Sequence, residues 1–419
     1  MNGDERHDIE LSIFQHAPTD TSVQTMEWIE YRPVNQLSDG VPLEFNVSPQ
    51  SSAYVDLKRS LLNVKLRLVG TDNAPIQDAD VVGLVNLPLH SIFSQIELSL
   101  QQTPLGHTGT NYPYKAYIDT LLKTSETQQN HFLSSQLFYK DKGDHDDSDA
   151  KTGANGGLYA RAKYTAGGKV LDLEGPLHLD LFQQPRIMVS GVEIGLKLWP
   201  SQNAFRLMAN ATIPAHKVQI VDAKFKVCLQ KLNPALLVAH ENVFKNTTAL
   251  YPYLRSEIKT ASIASGQFSF SIDDMYQGLV PNRLTVGLVS SGGYMGDYKK
   301  SPFKFQTYDC NFVGLYVDGQ SLPTQPLQPN YATENFVDCY NTLTAYRNDI
   351  SVDRGEYARG YCLYVLNLDP YYSFNTKRKG HCRLELKFAK ALPESVTVIM
   401  YATFPEVLCI DQSRRVYIQ

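Results

Sequence analysis

The stretch LHLDLFQQPRIMVSGVEIGLKLW, Leu177 to Trp199, comes back in altered form as LNLDPYYSFNTKRKGHCRLELKF, Leu366 to Phe388. Both copies open on Leu-x-Leu-Asp and close on an alternating segment that carries Glu and Lys. Val192, Ile194, Leu196 and Leu198 share one face of the first; Leu384, Leu386 and Phe388 share one face of the second. Strand side chains alternate with period two, so a slip of one residue would turn each apolar set into water. Each alternation therefore pins one register over one core. Its recurrence half a chain later points to a tandem pair of similar β domains.

A second correspondence precedes the first. QIELSLQQTPL (Gln95 to Leu105) and FVGLYVDGQSL (Phe312 to Leu322) both read as a strand and a turn, the latter through the tight-turn pair Asp318-Gly319. Each leads into an aromatic-rich helix. In the first, Pro113 suits an opening helical position, and Tyr114, Tyr117, Ile118, Leu121 and Leu122 follow at core-facing spacing. In the second, the helix is expected over Glu334 to Tyr346, using Phe336, Cys339, Tyr340 and Leu343. Order is preserved while loop lengths differ, as a duplicated domain requires.

Further alternating segments fill the chain. They include Pro42 to Pro49, the set Val64, Leu66 and Leu68, and the set Ala223, Phe225, Val227 and Leu229. Phe268, Phe270 and Ile272, then Leu284, Val286 and Leu288, then Val396, Val398, Met400 and Ala402 continue the pattern. Asn233 and Pro234 mark one more helix start. Many strands punctuated by turns, with only short helices, read as β-sandwiches; eight-stranded jelly rolls hide most of their edges. The expected fold is all-β. Residues 1–25 form an N-terminal arm, polar and either disordered or ordered only on a neighbouring subunit. Residues 26–214 form a first jelly roll and 215–419 a second, with Ser201 to Pro214 as the join.

Composition sets the remaining bounds. At 419 residues the chain exceeds one ordinary core and suits two domains of about 200 residues each. Hydrophobic residues at 43% and charged residues at 20% fit a folded soluble protein. Its 25 tyrosines suit both strands and protein interfaces. A net charge of −4 supplies no global basic field for coating nucleic acid. The six cysteines, Cys228, Cys310, Cys339, Cys362, Cys382 and Cys409, all lie in the second half, where a disulfide-stapled tandem repeat would show them in both, and form no CxxC for zinc; they read as buried thiols in a reducing compartment. No apolar run approaches the roughly 20 residues of a membrane helix. The charged opening MNGDERHDIE has no signal-peptide core, so the chain reads as made and used inside the cell, and the sequons at Asn46, Asn210 and Asn246 as chance.

No catalytic constellation emerges. GxSxG, HExxH and the P-loop lysine motif are absent. Asp141, Asp144, Asp146, Asp147 and Asp149 crowd one stretch, yet lack the glycine and terminal Glu offsets of a calcium loop; a solvated surface loop is expected. SSGGYMGDYKK (Ser290 to Lys300) reads as a flexible inter-strand loop, and the cluster Lys377 to Lys379 as a solvated one. The ten histidines show no metal spacing, and His178 in the first repeat has Asn367 as its counterpart in the second, against a shared site there. No catalytic, cofactor or metal residue is expected.

NLPLHSIFSQIELSLQQTPLG (Asn86 to Gly106), NYPYKAYIDTLLK (Asn111 to Lys123) and GPLHLDLFQQPRIMVSGVEIGLKLW together resemble the major capsid protein, or hexon, of Polinton (Maverick) elements and adintoviruses. The likeness runs from Glu44 to Trp199 and continues by order of elements. The resemblance implies a double jelly roll without enzymatic activity, cofactor or small-molecule substrate. It implies a homotrimer that meets neighbouring capsomers and a penton or minor capsid protein in an icosahedral virion, with no sequence-specific nucleic-acid binding. Synthesis in the host cytoplasm and nuclear assembly follow from the same likeness. Such genes also sit integrated in animal genomes, so an endogenous copy is within the expectation. Two alternatives come from the β architecture itself. One is a lectin-like or adhesion module with a concave aromatic site on its loops. The other is a carbohydrate-active jelly roll with two carboxylates about 5 to 10 Å apart across a cleft.

Overall fold

The computed structural model describes residues 21–107, 109–210, 216–374 and 377–419. Sixteen strands build two sandwiches. The first contains β1 (Val23–Tyr31), β2 (Leu43–Val47), β3 (Ala53–Gly70), β4 (Phe93–Leu100), β5 (Thr103–His107), β6 (Leu171–Gly175), β7 (Ile194–Pro200) and β8 (His216–Leu232). Its sheets run β1-β8-β3-β6 and β2-β7-β4-β5. The second contains β9 (Ala249–Ile263), β10 (Ser269–Ile272), β11 (Arg283–Ser290), β12 (Cys310–Val317), β13 (Gln320–Ser321), β14 (Leu363–Asn367), β15 (Cys382–Phe388) and β16 (Val396–Ile410). Its sheets run β9-β16-β11-β14, with Val416–Ile418 added to the end of β16 as a fifth strand, and β10-β15-β12-β13. Numbered within each sandwich, both orders read 1-8-3-6 and 2-7-4-5. The duplication inferred from two short motifs thus extends to all sixteen of these strands.

The repeated alternation lies where its pattern requires. Ile194, Leu196 and Leu198 of β7 are buried between the sheets, as are Leu384, Leu386 and Phe388 of β15. Both strands sit between two partners: β7 pairs with β2 and β4, and β15 with β10 and β12. The hairpins β4–β5 and β12–β13 also correspond. Each turns through two residues with positive φ, Gln101 and Gln102 in one and Asp318 and Gly319 in the other. Two successive left-handed residues give the backbone twist that matches paired strands.

The domain boundary differs from expectation. Ala223, Phe225, Val227 and Leu229 do alternate into a core, but on β8, which pairs with β1 and β3 and closes the first sandwich. Alternation tells which face a strand buries and is silent about which sheet it joins. The second sandwich therefore opens at β9, and the join is Asn233 to Thr248 rather than Ser201 to Pro214. Cys228 consequently belongs to the first sandwich. The expected arm ends sooner as well, because β1 starts at Val23; its first 20 residues lie outside the described residues.

The Leu-x-Leu-Asp motifs are not structurally equivalent. Leu366 lies within β14, whereas Leu177 follows the end of β6 at Gly175. On the short edge strand β10 the alternation is weak: Phe268, just before it, is 58% exposed, and Phe270 and Ile272 are half-buried. β16 is apolar on both faces, because one face enters the sandwich core and Tyr401 on the other reaches the first domain. All six cysteines are buried and unpaired.

Candidate functional site

The helix α1 (Tyr112–Lys123) occupies the connection between β5 and β6, and eleven of its twelve residues are buried. A helix at a domain surface would leave one side in water. This one does not, because it forms the seam between the two sandwiches. One side is aromatic: Tyr117 stacks on Phe303 at 4.2 Å and Tyr114 on Tyr294 at 5.6 Å, both partners belonging to the second domain. Tyr294 donates to Asn111 at 3.0 Å. The tyrosine stripe legible in the sequence is core, but the core between domains.

The other side of α1 is ionic. Asp119 accepts from Tyr401 of β16 at 2.8 Å and from Gln183 at 2.9 Å, and pairs with Lys123 at 2.7 Å. Lys115 pairs with Asp180 at 2.6 Å and lies 3.7 Å from Asp119. Asp180 opens the single-turn helix α2 (Asp180–Gln183) and accepts from the backbone N–H and hydroxyl of Ser256 on β9, at 2.8 and 2.7 Å. A continuous chain therefore runs Tyr401–Asp119–Lys115–Asp180–Ser256, beginning and ending in the second sandwich.

The charges balance where they lie. Burial alone would raise the Asp119 pKa, but Lys123 and Lys115 outweigh it and hold the carboxyl well below its usual range. Burial opposes the charge on Lys115, and Asp180 and Asp119 overcome it. His90 hydrogen-bonds the Tyr112 hydroxyl through Nδ1 at 2.8 Å and Gln136 Oε1 through Nε2 at 2.9 Å. An amide oxygen only accepts, so Nε2 carries the proton and Nδ1 accepts from Tyr112. Burial, with His178 edge-on at 4.7 Å, pushes the His90 pKa well down. Burial also lowers His178, against the pull of Asp119.

The same seam covers an edge that would otherwise be open. β9 is the outer strand of its sheet, a position prone to unwanted strand pairing. Asp180 takes the Ser256 N–H, Arg186 donates to the Leu250 carbonyl, and the Tyr251 hydroxyl accepts from the Val189 N–H at 3.0 Å.

The acidic stretch from Asp141 corrects its expectation. It is folded into the seam rather than solvated. Asp141 is buried against Arg161 at 2.9 Å, and its carbonyl accepts from Tyr361 of the second domain at 2.7 Å. Lys304 pairs with Asp146 at 2.6 Å and Asp144 at 3.3 Å, and Lys140 pairs with Glu356. Asp147 and Asp149 instead cap backbone N–H groups within the loop. Composition marks such a stretch as polar; it cannot show that a lysine of the other domain awaits it.

Of the two other loops, Ser290 to Lys300 differs from expectation, while Lys377 and Lys379 are exposed as expected. Ser291–Met295 forms a short helix that presents Tyr294 to α1, and Lys300 pairs with Glu394 at 2.5 Å. In the basic cluster, Lys377 pairs with Glu406 at 3.0 Å and Arg378 stacks over Tyr372 at 3.7 Å. His178 lies in the seam, while Asn367 ends β14. Asp119, buried, and Asp180, half-buried, are bridged by Lys115 rather than set across an open cleft. Among the described residues no His, Cys, Asp or Glu group has metal-holding geometry. The arrangement fastens two domains into one body.

No family model matches the chain. Over 94% of its length it is 26% identical to an uncharacterized protein of Caenorhabditis elegans, of which it covers 97%. Among solved structures, a chain of the Sputnik virophage aligns over 98% of this chain and 91% of its own, with TM-score 0.67 and 11% identity. The Faustovirus major capsid protein aligns over 97% and 94%, with TM-score 0.60 and 8% identity. The mavirus major capsid protein aligns over 97% and 92%, with TM-score 0.57 and 8% identity. The fold is a double jelly roll. Identities this low carry the arrangement of strands alone.

Proposed function

We propose that the chain is a structural capsid subunit that acts by self-assembly, three copies forming a capsomer of near-hexagonal outline that tiles an icosahedral shell. The carrying observation is the repeated strand order, 1-8-3-6 and 2-7-4-5, in both sandwiches. Two like domains per chain and three chains give six like lobes around one axis, an outline that packs into a net from a single gene product. The seam supports the reading, since a brick must keep its two lobes in fixed relation under load. The alignment over nearly full length with the mavirus and Faustovirus major capsid proteins supports it as well.

An interface is available on β1. This nine-residue strand is the outer member of its sheet and exposes Trp28 (49%) and Ile29. Apolar groups on an open edge suit packing against a second copy. Neighbouring capsomers and a penton or minor capsid protein complete the partner set, in a virion assembled in the nucleus. Affiliation with Polinton or adintovirus capsid proteins belongs to the same proposal, and the near-full-length nematode relative supports carriage in animal genomes. Light scattering coupled to size exclusion tests it. The trimer is expected with an obligate interface above about 2,000 Å²; monomer alone at high concentration overturns it.

A further inference from the structure

We infer that the chain binds a single-chain carboxylate amphiphile, a fatty acid, in an apolar groove at the join between its two sandwiches. The join carries helix α3 (Pro234–Phe244). Beside the C-terminal end of α3 lies a groove of about 450 Å³, within the roughly 300–1,000 Å³ of small-ligand sites. Four elements wall it: Tyr54 of β3, Ile187 and Val189 between α2 and β7, Val243 and Phe244 of α3, and Leu250 of β9. Val243 is 59% exposed and Leu250 44%, so the described residues leave the hollow open to water. Its walls are held from behind. The buried Tyr54 bonds His240 Nδ1 through its hydroxyl at 2.9 Å, and Arg414 lies 4.9 Å over the Phe244 ring. Met188, between Ile187 and Val189, exchanges both backbone hydrogen bonds with Val55, at 2.9 and 2.7 Å. A hollow fixed in this way needs little ordering when a ligand enters.

Two features choose the occupant. The first is the backbone beside the groove. β9 is an outer strand, but Arg186 takes the Leu250 carbonyl, Pro252 has no N–H to offer, and Asp180 takes the Ser256 N–H. A peptide therefore finds no edge here on which to add as a strand, and the ligand has to bind through its apolar body. The second is charge. Arg186 lines the groove, and its guanidinium is steadied by the bond to the Leu250 carbonyl. Among the described residues no carboxylate pairs with it. The other cation nearby, Arg414, is paired with Glu241 at 2.8 Å. A guanidinium has five N–H donors, and a carboxylate engages two of them side by side. One unpaired cation beside one apolar hollow specifies a monoanionic head on one hydrocarbon tail. This concerns each chain by itself and holds whether or not the chain builds capsids.

Titration calorimetry of the full chain with dodecanoate, kept below its critical micelle concentration, tests it. Saturation at one dodecanoate per chain is expected. Octanoate should bind at least about 10-fold more weakly, since each methylene taken from water is worth roughly fourfold. Arg186→Gln removes the cation and Val243→Glu sets an anion in the groove; both positions are exposed, so the fold should tolerate the changes. Each should weaken dodecanoate binding about 10-fold or more, the size of a hydrogen bond to a charged group. Dodecyltrimethylammonium, with the same tail and the opposite charge, should not bind. Absence of saturable binding, equal binding of the cationic amphiphile, or binding unmoved by both variants overturns the inference. So does dodecanoate that binds only when light scattering shows an assembly to have come apart, since a second copy is then the occupant of the groove.

Discussion

Asp119→Ala perturbs the seam at its most connected point. The carboxylate is buried, pairs with Lys123, lies 3.7 Å from Lys115, and accepts hydrogen bonds from Tyr401 and Gln183. Removing one partner of a buried ion pair costs about 3–5 kcal/mol, because the other charge stays buried. Lys115 keeps Asp180, which lessens the loss, while the Tyr401 hydroxyl loses its acceptor at a cost of about 1–3 kcal/mol. These contributions share partners and do not add, so the net is on the order of 4 kcal/mol. The assay exploits the two tryptophans. Trp28 and Trp199 both lie in the first sandwich, so their fluorescence follows that domain while far-ultraviolet circular dichroism follows both. In urea the wild type is expected to give coincident transitions. Asp119→Ala should lower the midpoint and separate the two signals as the domains uncouple. Asp369→Ala is the control: Asp369 matches Asp180 in the sequence motif only, is exposed beside Arg283, and should cost under about 0.5 kcal/mol. If Asp119→Ala matches that control and keeps coincident transitions, the seam does not couple the domains.

Acid should weaken the same seam. His90 and His178 are neutral in the fold with lowered pKa values, whereas the unfolded chain protonates them below about 6.5. The unfolded state then binds more protons, so stability is complete above that pH and falls below it, each histidine contributing up to about 1.4 kcal/mol per pH unit. Asp119, depressed in the fold, adds its own loss as pH drops below about 4. Urea midpoints from pH 7.5 to 5 check this, and His178→Gln should flatten the slope. A double-mutant cycle on Tyr117→Leu and Phe303→Leu should return a coupling of about 0.5–1.5 kcal/mol from the stacked rings; zero coupling would mean that the stack is incidental. Arg161→Met strands the buried Asp141 carboxylate and should cost about 3–5 kcal/mol by thermal or urea unfolding. Native protein should resist maleimide labelling at all six cysteines, with full labelling in denaturant.

The sandwiches were legible because period-two burial is written directly in residue order: the faces of β3, β4, β7, β11 and β15 follow from it. The join was not, since β8 alternates like any other strand and its partners, β1 and β3, lie far away in sequence. The seam was half legible. Tyr114 and Tyr117 announce a buried stripe, but Lys115 and Asp119 on the same helix read as surface charge until Asp180 and Tyr401 arrive from elsewhere. The Asp141 loop failed for the same reason. A charge is buried only when its partner is present, and the partners here, Arg161 and Lys304, stand 20 and more than 100 residues further on.

Two copies of one topology, joined through a buried seam, suit the proposed self-assembling subunit. Electron microscopy of the purified full-length protein tests this most directly. The account predicts trimeric particles with a six-sided outline, each lobe one sandwich. A uniform population of two-lobed monomers at high protein concentration would contradict it.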